Sequence, residues 1–317
     1  MKKGLLASVV AATIASLVAG SAFAQDKLVI GIDVDAGTLD PRLARDTSAF
    51  RTTNLIFSGL VHLTPSLEAV PDLAESWESP DPQTVIFRMR EGLVFSDGSP
   101  LTAEDVVYTF TTITNPDFNA PQRALYSPIA SVEAVDDLTV RFNLSSPYAP
   151  LLSYLDMGIV PSDYAESGAD LATSPIGAGP MVLDNWARGS EIALSASQSY
   201  WAGTPETGQV TLRIVGDNSA RAQAFEAGDL DVVQSPLSPN DIQRLAADER
   251  FGNAIMAGLG VTYLNFNTSD PMLSDPAMRQ AFAMLVDQGT IVNDIYQGVD
   301  EVANSVILPS SWAYDAG

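Results

Sequence analysis

The alternation of apolar and polar residues predicts strands in the first half of the chain. In QTVIFRMREG (83–92), Val85, Phe87 and Met89 occupy every second position, and Thr84, Arg88 and Arg90 fall on the other face, as in a strand buried on one face. The same period flanks an Asp-Asp pair in SVEAVDDLTVRFNLSSP (131–147), which predicts a β-hairpin. The continuous apolar run of KLVIGID indicates a first, buried strand.

Apolar residues at helical spacing predict helices that alternate with further strands. Helices are predicted at FRTTNLIFSGL, NSARAQAFEAG and SDPAMRQAFAMLVD, and strands at SEIALSAS, QVTLRIVG, DLDVVQ and VTYLNFN (261–267). In the last helix Asp275 is the expected N-cap, and Met278, Phe282 and Leu285 fall on one face. A helix followed by a strand in this order is typical of a layered α/β domain.

The acid-rich segment EGLVFSDGSPLTAEDV (91–106) could indicate a metal or acid–base site, but turn and capping chemistry account for it. Asp97 and Gly98 are typical turn residues. Thr102 followed by Asp105 has the spacing of a capping box, and acids suit the positive end of a helix dipole. We therefore predict that this segment is a structural turn and a helix start.

Composition removes several classes of function. The 317-residue chain carries 16 basic and 39 acidic residues, and its formal net charge of −23 repels nucleic-acid phosphates. It has no cysteine, which excludes disulfides, thiolate nucleophiles and thiolate metal sites. His62 is the only histidine, which excludes metal sites that need two imidazole ligands. We expect no nucleic-acid partner, no cofactor and no metal.

The first 24 residues have the layout of an export signal. MKK is a basic start, an apolar run follows, and AFA at 22–24 is a small-x-small cleavage site. We therefore expect residues 1–24 to be a signal peptide that is removed before Gln25. Because no cysteine is present to carry a lipid, the prediction is a soluble periplasmic protein.

A series of segments in fixed order resembles one family. The segments are TLDP (38–41), PDLAESWE (71–78), FRMREGLVFSDGSPLTAEDVVYTF (87–110), SPIGAGPM (174–181) and YLNFNTSDPMLSDPAMRQAFAMLVD (263–287). Through them the chain resembles family 5 extracellular solute-binding proteins, the peptide- and oligopeptide-binding components of ABC importers. Ala178 and Met181 depart from the Thr and Tyr that the family usually has in the fourth segment.

The resemblance implies an α/β, periplasmic-binding-protein-like fold of two lobes. Lobe I is expected at 25–55 and 176–262, with an extra subdomain at 56–175. Residues 263–317 are expected to form the hinge and the start of lobe II. Since family members are considerably longer, the resemblance also implies that lobe II is incomplete and that the chain is truncated.

The resemblance places the ligand in the cleft between the lobes. The expected contacts lie on the loop after the first strand, on the glycine-rich crossing and on a hinge strand: Asp35, Thr38, Leu39, Asp40, Phe50, Gly177, Gly179, Tyr263, Asn265 and Asn267. Each group also has a structural explanation, namely turn chemistry in the loop, chain reversal at the glycines and hinge hydrogen bonds at the asparagines.

The implied function is binding rather than catalysis, with no catalytic residue. The chain is expected to capture a short peptide or similar solute by closure of the cleft and to deliver it to the membrane permease subunits. Two alternatives stay open. A secreted hydrolase of the glycosidase type needs only a pair of carboxylates, and the chain offers 39 acids. The other alternative is a non-transporting or defunct fragment of a binding protein.

Overall fold

The computed structural model of the chain describes residues 27–252, 260–307 and Tyr314, so the predicted signal peptide lies outside the described residues. The strands are β1 (Lys27–Ile32), β2 (Val61–Leu63), β3 (Ala69–Pro71), β4 (Ala74–Asp81), β5 (Thr84–Met89), β6 (Ile129–Asp136), β7 (Thr139–Leu144), β8 (Met181–Ala187), β9 (Glu191–Ala196), β10 (Gln209–Ile214) and β11 (Val232–Val233). The α-helices are α1 (Thr47–Ile56), α2 (Ala103–Thr114), α3 (Ser162–Glu166), α4 (Asn218–Glu226), α5 (Pro239–Ala246), α6 (Pro276–Met284) and α7 (Gln288–Thr290), which continues into a π-helical turn (Ile291–Ile295).

A five-stranded sheet supports the loop in which the sequence predicts ligand contacts. Its order is β11-β1-β10-β9-β8, with β1 parallel to β10 and β11 and the other pairs antiparallel. Ile32, Ile192, Leu194 and Leu212 are buried in its core. Because β1, β10 and β11 run in the same direction, the loops that follow them leave from one edge of the sheet, where open α/β sheets bind ligands.

A second, antiparallel sheet has the order β4-β5-β7-β6 and contains the predicted hairpin. The turn connects Asp136 with Thr139, which pair across the hairpin. The alternate apolar residues of β5 are buried, as predicted. The ring of Phe142 meets Phe87 and Phe110 edge-on, with centroids 5.6 and 5.2 Å away, so α2 is packed against the sheet through aromatic contacts.

The start of α2 confirms the structural interpretation of the acid-rich segment. The backbone N–H of Thr102 donates to Asp105 Oδ2 at 2.9 Å, which is the return bond of a capping box. The other oxygen, Oδ1, accepts from the backbone N–H and the hydroxyl of Ser162, both at 2.8 Å. Asp105 therefore joins α2 to the start of α3.

One prediction near the end of the chain is wrong. Residues 261–267 form no strand, and Tyr263 and Leu264 are exposed. A strand is held by hydrogen bonds to a neighbouring strand, and within the described ranges no strand pairs with this segment. Helix α6 forms behind its predicted Asp275 cap. On its predicted apolar face, Phe282 is 38% exposed and Leu285 is 80% exposed.

The two larger sheets have separate hydrophobic cores. One core lies between α2 and the antiparallel sheet, and the other lies under the loop between β1 and α1. The predicted division into lobe I, its subdomain and a hinge stays a prediction. In the part of the chain that the structure describes, no helix has the length and apolar composition needed to span a membrane.

Candidate functional site

The loop between β1 and α1, residues 33–46, starts at the edge where the parallel strands end. The hydroxyl of Ser235, which follows β11, donates to Asp33 Oδ1 at 2.7 Å and accepts from the Asp33 N–H at 3.0 Å. Burial alone raises the pKa of Asp33, but the Ser235 hydroxyl, the Asp33 backbone and the nearby Arg221 hold that pKa below its ordinary value. The start of the loop is therefore fixed to the neighbouring parallel strand.

Asp35 fastens the loop to the turn between β8 and β9. Its carboxylate accepts from Trp186 Nε1 and from the N–H of Gly189, both at 2.8 Å. The Arg188 guanidinium donates to the carbonyl of Ala36 at 3.1 Å and lies over the Trp186 ring, 3.3 Å from its centroid. These bonds determine the shape of the loop, and the predicted ligand role of Asp35 stays a prediction.

The next three predicted contact residues also have partners inside the protein. Thr38 Oγ1 accepts from the Asp40 N–H at 3.1 Å, and the Leu39 N–H donates to the carbonyl of Ala172 at 3.0 Å. Asp40 is 3% exposed, and its two oxygens bind Arg42 through Nε at 3.0 Å and Nη2 at 2.8 Å. This buried ion pair gives Asp40 a structural role besides its predicted one.

The predicted glycines lie against the end of α1. A β-carbon on Gly177 would be 2.1 Å from the carbonyl oxygen of Ile56, and one on Gly179 would be 2.6 Å from the carbonyl carbon of the same residue. The Gly179 N–H also donates to the Ile56 carbonyl at 2.9 Å. The close approach that these glycines permit is thus to the protein's own backbone. The hinge candidates Tyr263, Asn265 and Asn267 are exposed on the irregular segment described above.

A cavity of about 270 Å³ opens between α1 and two helical turns, Arg123–Tyr126 and Ala149–Tyr154. Phe50 lies in its wall, so the structure includes one predicted contact residue in a cavity. The other walls supply amides, rings and a carboxylate: Asn54, Gln122, Tyr126, Tyr154 and Asp156. Sequence reasoning missed these five residues. The one signal was Asp156, a lone acid in the apolar run APLLSYLDMGIVP.

Asp156 is the electrostatically unusual group of this cavity. Burial raises its pKa from 3.8 to about 6, against the opposing effects of its own backbone N–H and of His62. Tyr126, in the same wall, donates its hydroxyl to the carbonyl of Tyr154 at 3.0 Å, and burial together with Asp156 raises its pKa as well. A titratable group that is perturbed in a cavity is a candidate functional group.

The raised pKa predicts that Asp156→Asn stabilises the protein at pH 8. Because the folded-state pKa lies above the unfolded value, ionisation of Asp156 costs stability above about pH 6, and this cost disappears as the pH falls towards 3.8. After allowance for partial exposure, we expect Asp156→Asn to raise the free energy of unfolding by about 1–3 kcal/mol at pH 8. Urea unfolding of wild type and Asp156→Asn at pH 8 and pH 4 measures this difference. An equal effect at both pH values would contradict the assigned cause.

A second cavity, of about 560 Å³, lies beside the Asp35 contacts. Its walls include Trp186 and Arg188 from the end of β8 and the following turn, and Tyr164, Thr173 and Ser174 from the segment around α3. Among the described residues, no group of three or more His, Cys, Asp or Glu side chains is arranged to hold a metal ion.

A model of the family described as bacterial extracellular solute-binding proteins, family 5 Middle, matches residues 68–317. The chain belongs to this family. A curated relative, the protein named "Probable D,D-dipeptide-binding periplasmic protein DdpA" of Escherichia coli K12, is 31% identical over 314 residues. That alignment covers 94% of this chain and 60% of the relative. The chain thus spans about 60% of the length of the curated relative that it matches.

Solved structures of the family confirm the predicted periplasmic-binding-protein-like α/β fold. NikZ from Campylobacter jejuni, in complex with Ni(L-His), superposes with a TM-score of 0.84 at 26% identity, over 92% of this chain and 59% of NikZ. The oligopeptide-binding protein AppA from Bacillus subtilis, in complex with a nonapeptide, superposes with a TM-score of 0.83 at 26% identity, over 92% of this chain and 60% of AppA. Family 5 members with different ligands therefore share the architecture of this chain.

Proposed function

We propose that this chain is the substrate-binding part of an ABC importer and that it captures a short peptide in the periplasm. The observation that carries the proposal is the cavity lined by Phe50 and Asp156, in a chain whose family consists of extracellular solute-binding proteins. Its mixture of rings, amides and one carboxylate is typical of a small-molecule site. The peptide ligand of AppA and the printed name of DdpA support peptide over other solutes.

The mechanism is ligand-selected closure rather than covalent chemistry. Lobe I would hold the solute at the cavity between α1 and the two helical turns, and a second lobe would close over it by a hinge motion. Because a ligand shifts such an equilibrium only by its differential affinity for the closed state, contacts on both sides of the cleft determine how completely it closes. The closed form then docks on the permease subunits and releases the solute to them.

Calorimetric titration with defined solutes tests this proposal. We expect trialanine and dialanine to bind the purified protein, and we expect a nickel–histidine chelate and the opine mannopinic acid not to bind. Deletion of the gene should reduce uptake of the peptide that binds best. Binding of the chelate or of the opine in place of both peptides would contradict the peptide assignment, and a lack of binding to all four solutes would contradict the function itself.

A further inference from the structure

The cavity between α1 and the two helical turns carries negative charge and no positive charge in its lining. Of the residues that line it, Asp156 is the only one with an ionisable acid or base other than tyrosine. Within the described residues Asp156 takes part in no ion pair. Its carboxylate is half-buried and has lost part of its water without gaining a cation. Such a group attracts a positive charge from whatever enters the cavity.

The rings in the walls add to this preference. Phe50, Tyr126 and Tyr154 line the same cavity, and the negative faces of aromatic rings attract cations. The hydroxyl of Tyr126 is held by the carbonyl of Tyr154, and Tyr154 stacks on Tyr148 at a centroid distance of 6.3 Å. The two tyrosine rings are therefore held in place before a ligand arrives, and little ordering of these side chains is needed on binding.

Neutral polar groups complete the cavity without adding a competing cation. The side chains of Asn54, Gln122 and Ser153 line it and offer oxygens that accept hydrogen bonds from an ammonium or guanidinium group. His62 acts on the Asp156 carboxylate electrostatically, but it is not among the residues that line the cavity. The chain's net charge of −23 also draws cations towards its surface.

We propose that Asp156 binds a cationic amine or guanidinium group of the captured solute, so that this protein selects solutes carrying a positive charge at that position. The inference rests on the proposed function and names the chemistry of its substrate. The positive group has two possible sources in a peptide, the α-ammonium and a lysine or arginine side chain. Both form the same charge-assisted hydrogen bonds to a carboxylate.

The test compares wild type, Asp156→Asn and Asp163→Asn by calorimetry at pH 7.5. Asp163 is an exposed acid at the start of α3, so its variant removes the same charge away from the cavity. The probes are trialanine, Ala-Lys-Ala and the N-acetylated forms of both. For peptides that use the site, we expect Asp156→Asn to weaken binding roughly 10- to 100-fold, as for loss of a hydrogen bond to a charged group. We expect Asp163→Asn to have no effect.

The acetylated probes separate the two sources of charge. If the α-ammonium is bound, acetylation of trialanine and Asp156→Asn weaken its binding to the same extent. If a side-chain ammonium is bound, N-acetyl-Ala-Lys-Ala keeps its affinity for wild type and loses it in Asp156→Asn. Equal affinity of both proteins for every probe that binds wild type overturns the inference but leaves the proposed function standing. No binding of any probe to wild type overturns both.

The pH dependence supplies a readout that a merely structural role of Asp156 would not change. Protonation of the carboxylate removes its attraction for a cation, so affinity for the amine probes should fall as the pH is lowered through about 6. Since Asp156→Asn has nothing to protonate at this position, its weaker affinity should stay constant over the same range. A parallel fall in both proteins would assign the effect to a group other than Asp156, and would overturn the role of Asp156.

Discussion

Gly177→Ala is expected to lower the free energy of unfolding by about 3 kcal/mol, the upper end of the usual cost of overpacking, because the added methyl group has no space. The new β-carbon would be 2.1 Å from the carbonyl oxygen of Ile56 and 2.8 Å from its carbonyl carbon, and both are backbone atoms at the end of α1. A flexible side chain could rotate away, but a helix end moves only with its neighbours. The change should also disturb the bond from the Ser96 N–H to the Gly177 carbonyl, 2.8 Å long.

Gly216→Ala is the matched control for this prediction. The nearest atom to its β-carbon is the carbonyl oxygen of Asp33 at 3.5 Å, which is ordinary van der Waals contact. Replacement of glycine at an unstrained position stabilises a protein by about 0.4–1 kcal/mol through the unfolded state. Urea unfolding of both variants measures the difference in stability. Recovery of Gly177→Ala only in the insoluble fraction, with Gly216→Ala soluble, would also support the prediction. Equal stability of the two variants would show that the crossing at 174–181 relaxes easily.

The local structure of the first two sheets follows from the sequence because each prediction needs only neighbouring residues. The strand period of residues 83–92 places Phe87 in the core, and the spacing of Thr102 and Asp105 fixes the start of α2. The Gly228 stop after α4 has a φ of 82°, as a left-handed helix end requires. These features depend on backbone and side-chain chemistry within a few residues.

The segment after residue 260 shows what periodicity does not provide. The pattern of VTYLNFN forms a strand only if another strand lies beside it. The pattern around Phe282 shows which residues share the apolar face of a helix, but not which surface covers that face. The helix itself forms because Asp275 accepts from the Ala277 N–H at 2.9 Å, a contact inside one turn. Local capping was therefore predictable here, and long-range burial was not.

The candidate site was predictable only in part, for a related reason. The resemblance supplied Phe50, but the opposite walls come from the turns around Gln122 and Tyr154, which are far from α1 in the sequence. Asp156 stands out as a lone acid in the apolar run 149–161, but the run does not say what packs around it. Its importance follows from burial, which depends on how three separate segments pack together.

Asp40→Ala is expected to lower the free energy of unfolding by about 3–5 kcal/mol, because it leaves the Arg42 charge buried without its partner. Both side chains of this pair are 5% exposed, and the guanidinium also lies 4.7 Å from the centroid of the Phe118 ring. The double variant Asp40→Ala/Arg42→Met removes the charge as well, so we expect it to regain most of the lost stability. Urea unfolding of the two single variants and the double variant gives the coupling free energy.

The same variants separate the structural role of Asp40 from its predicted role in ligand binding. As a control, Glu133→Ala removes an ion pair to Arg141 whose side chains are 51% and 40% exposed, and it should change stability by less than about 1 kcal/mol. If the double variant is as stable as wild type and binds the same peptide with unchanged affinity, Asp40 acts only by holding Arg42. If it folds but loses peptide affinity, the carboxylate contacts the solute as well, and the loop between β1 and α1 belongs to the binding site.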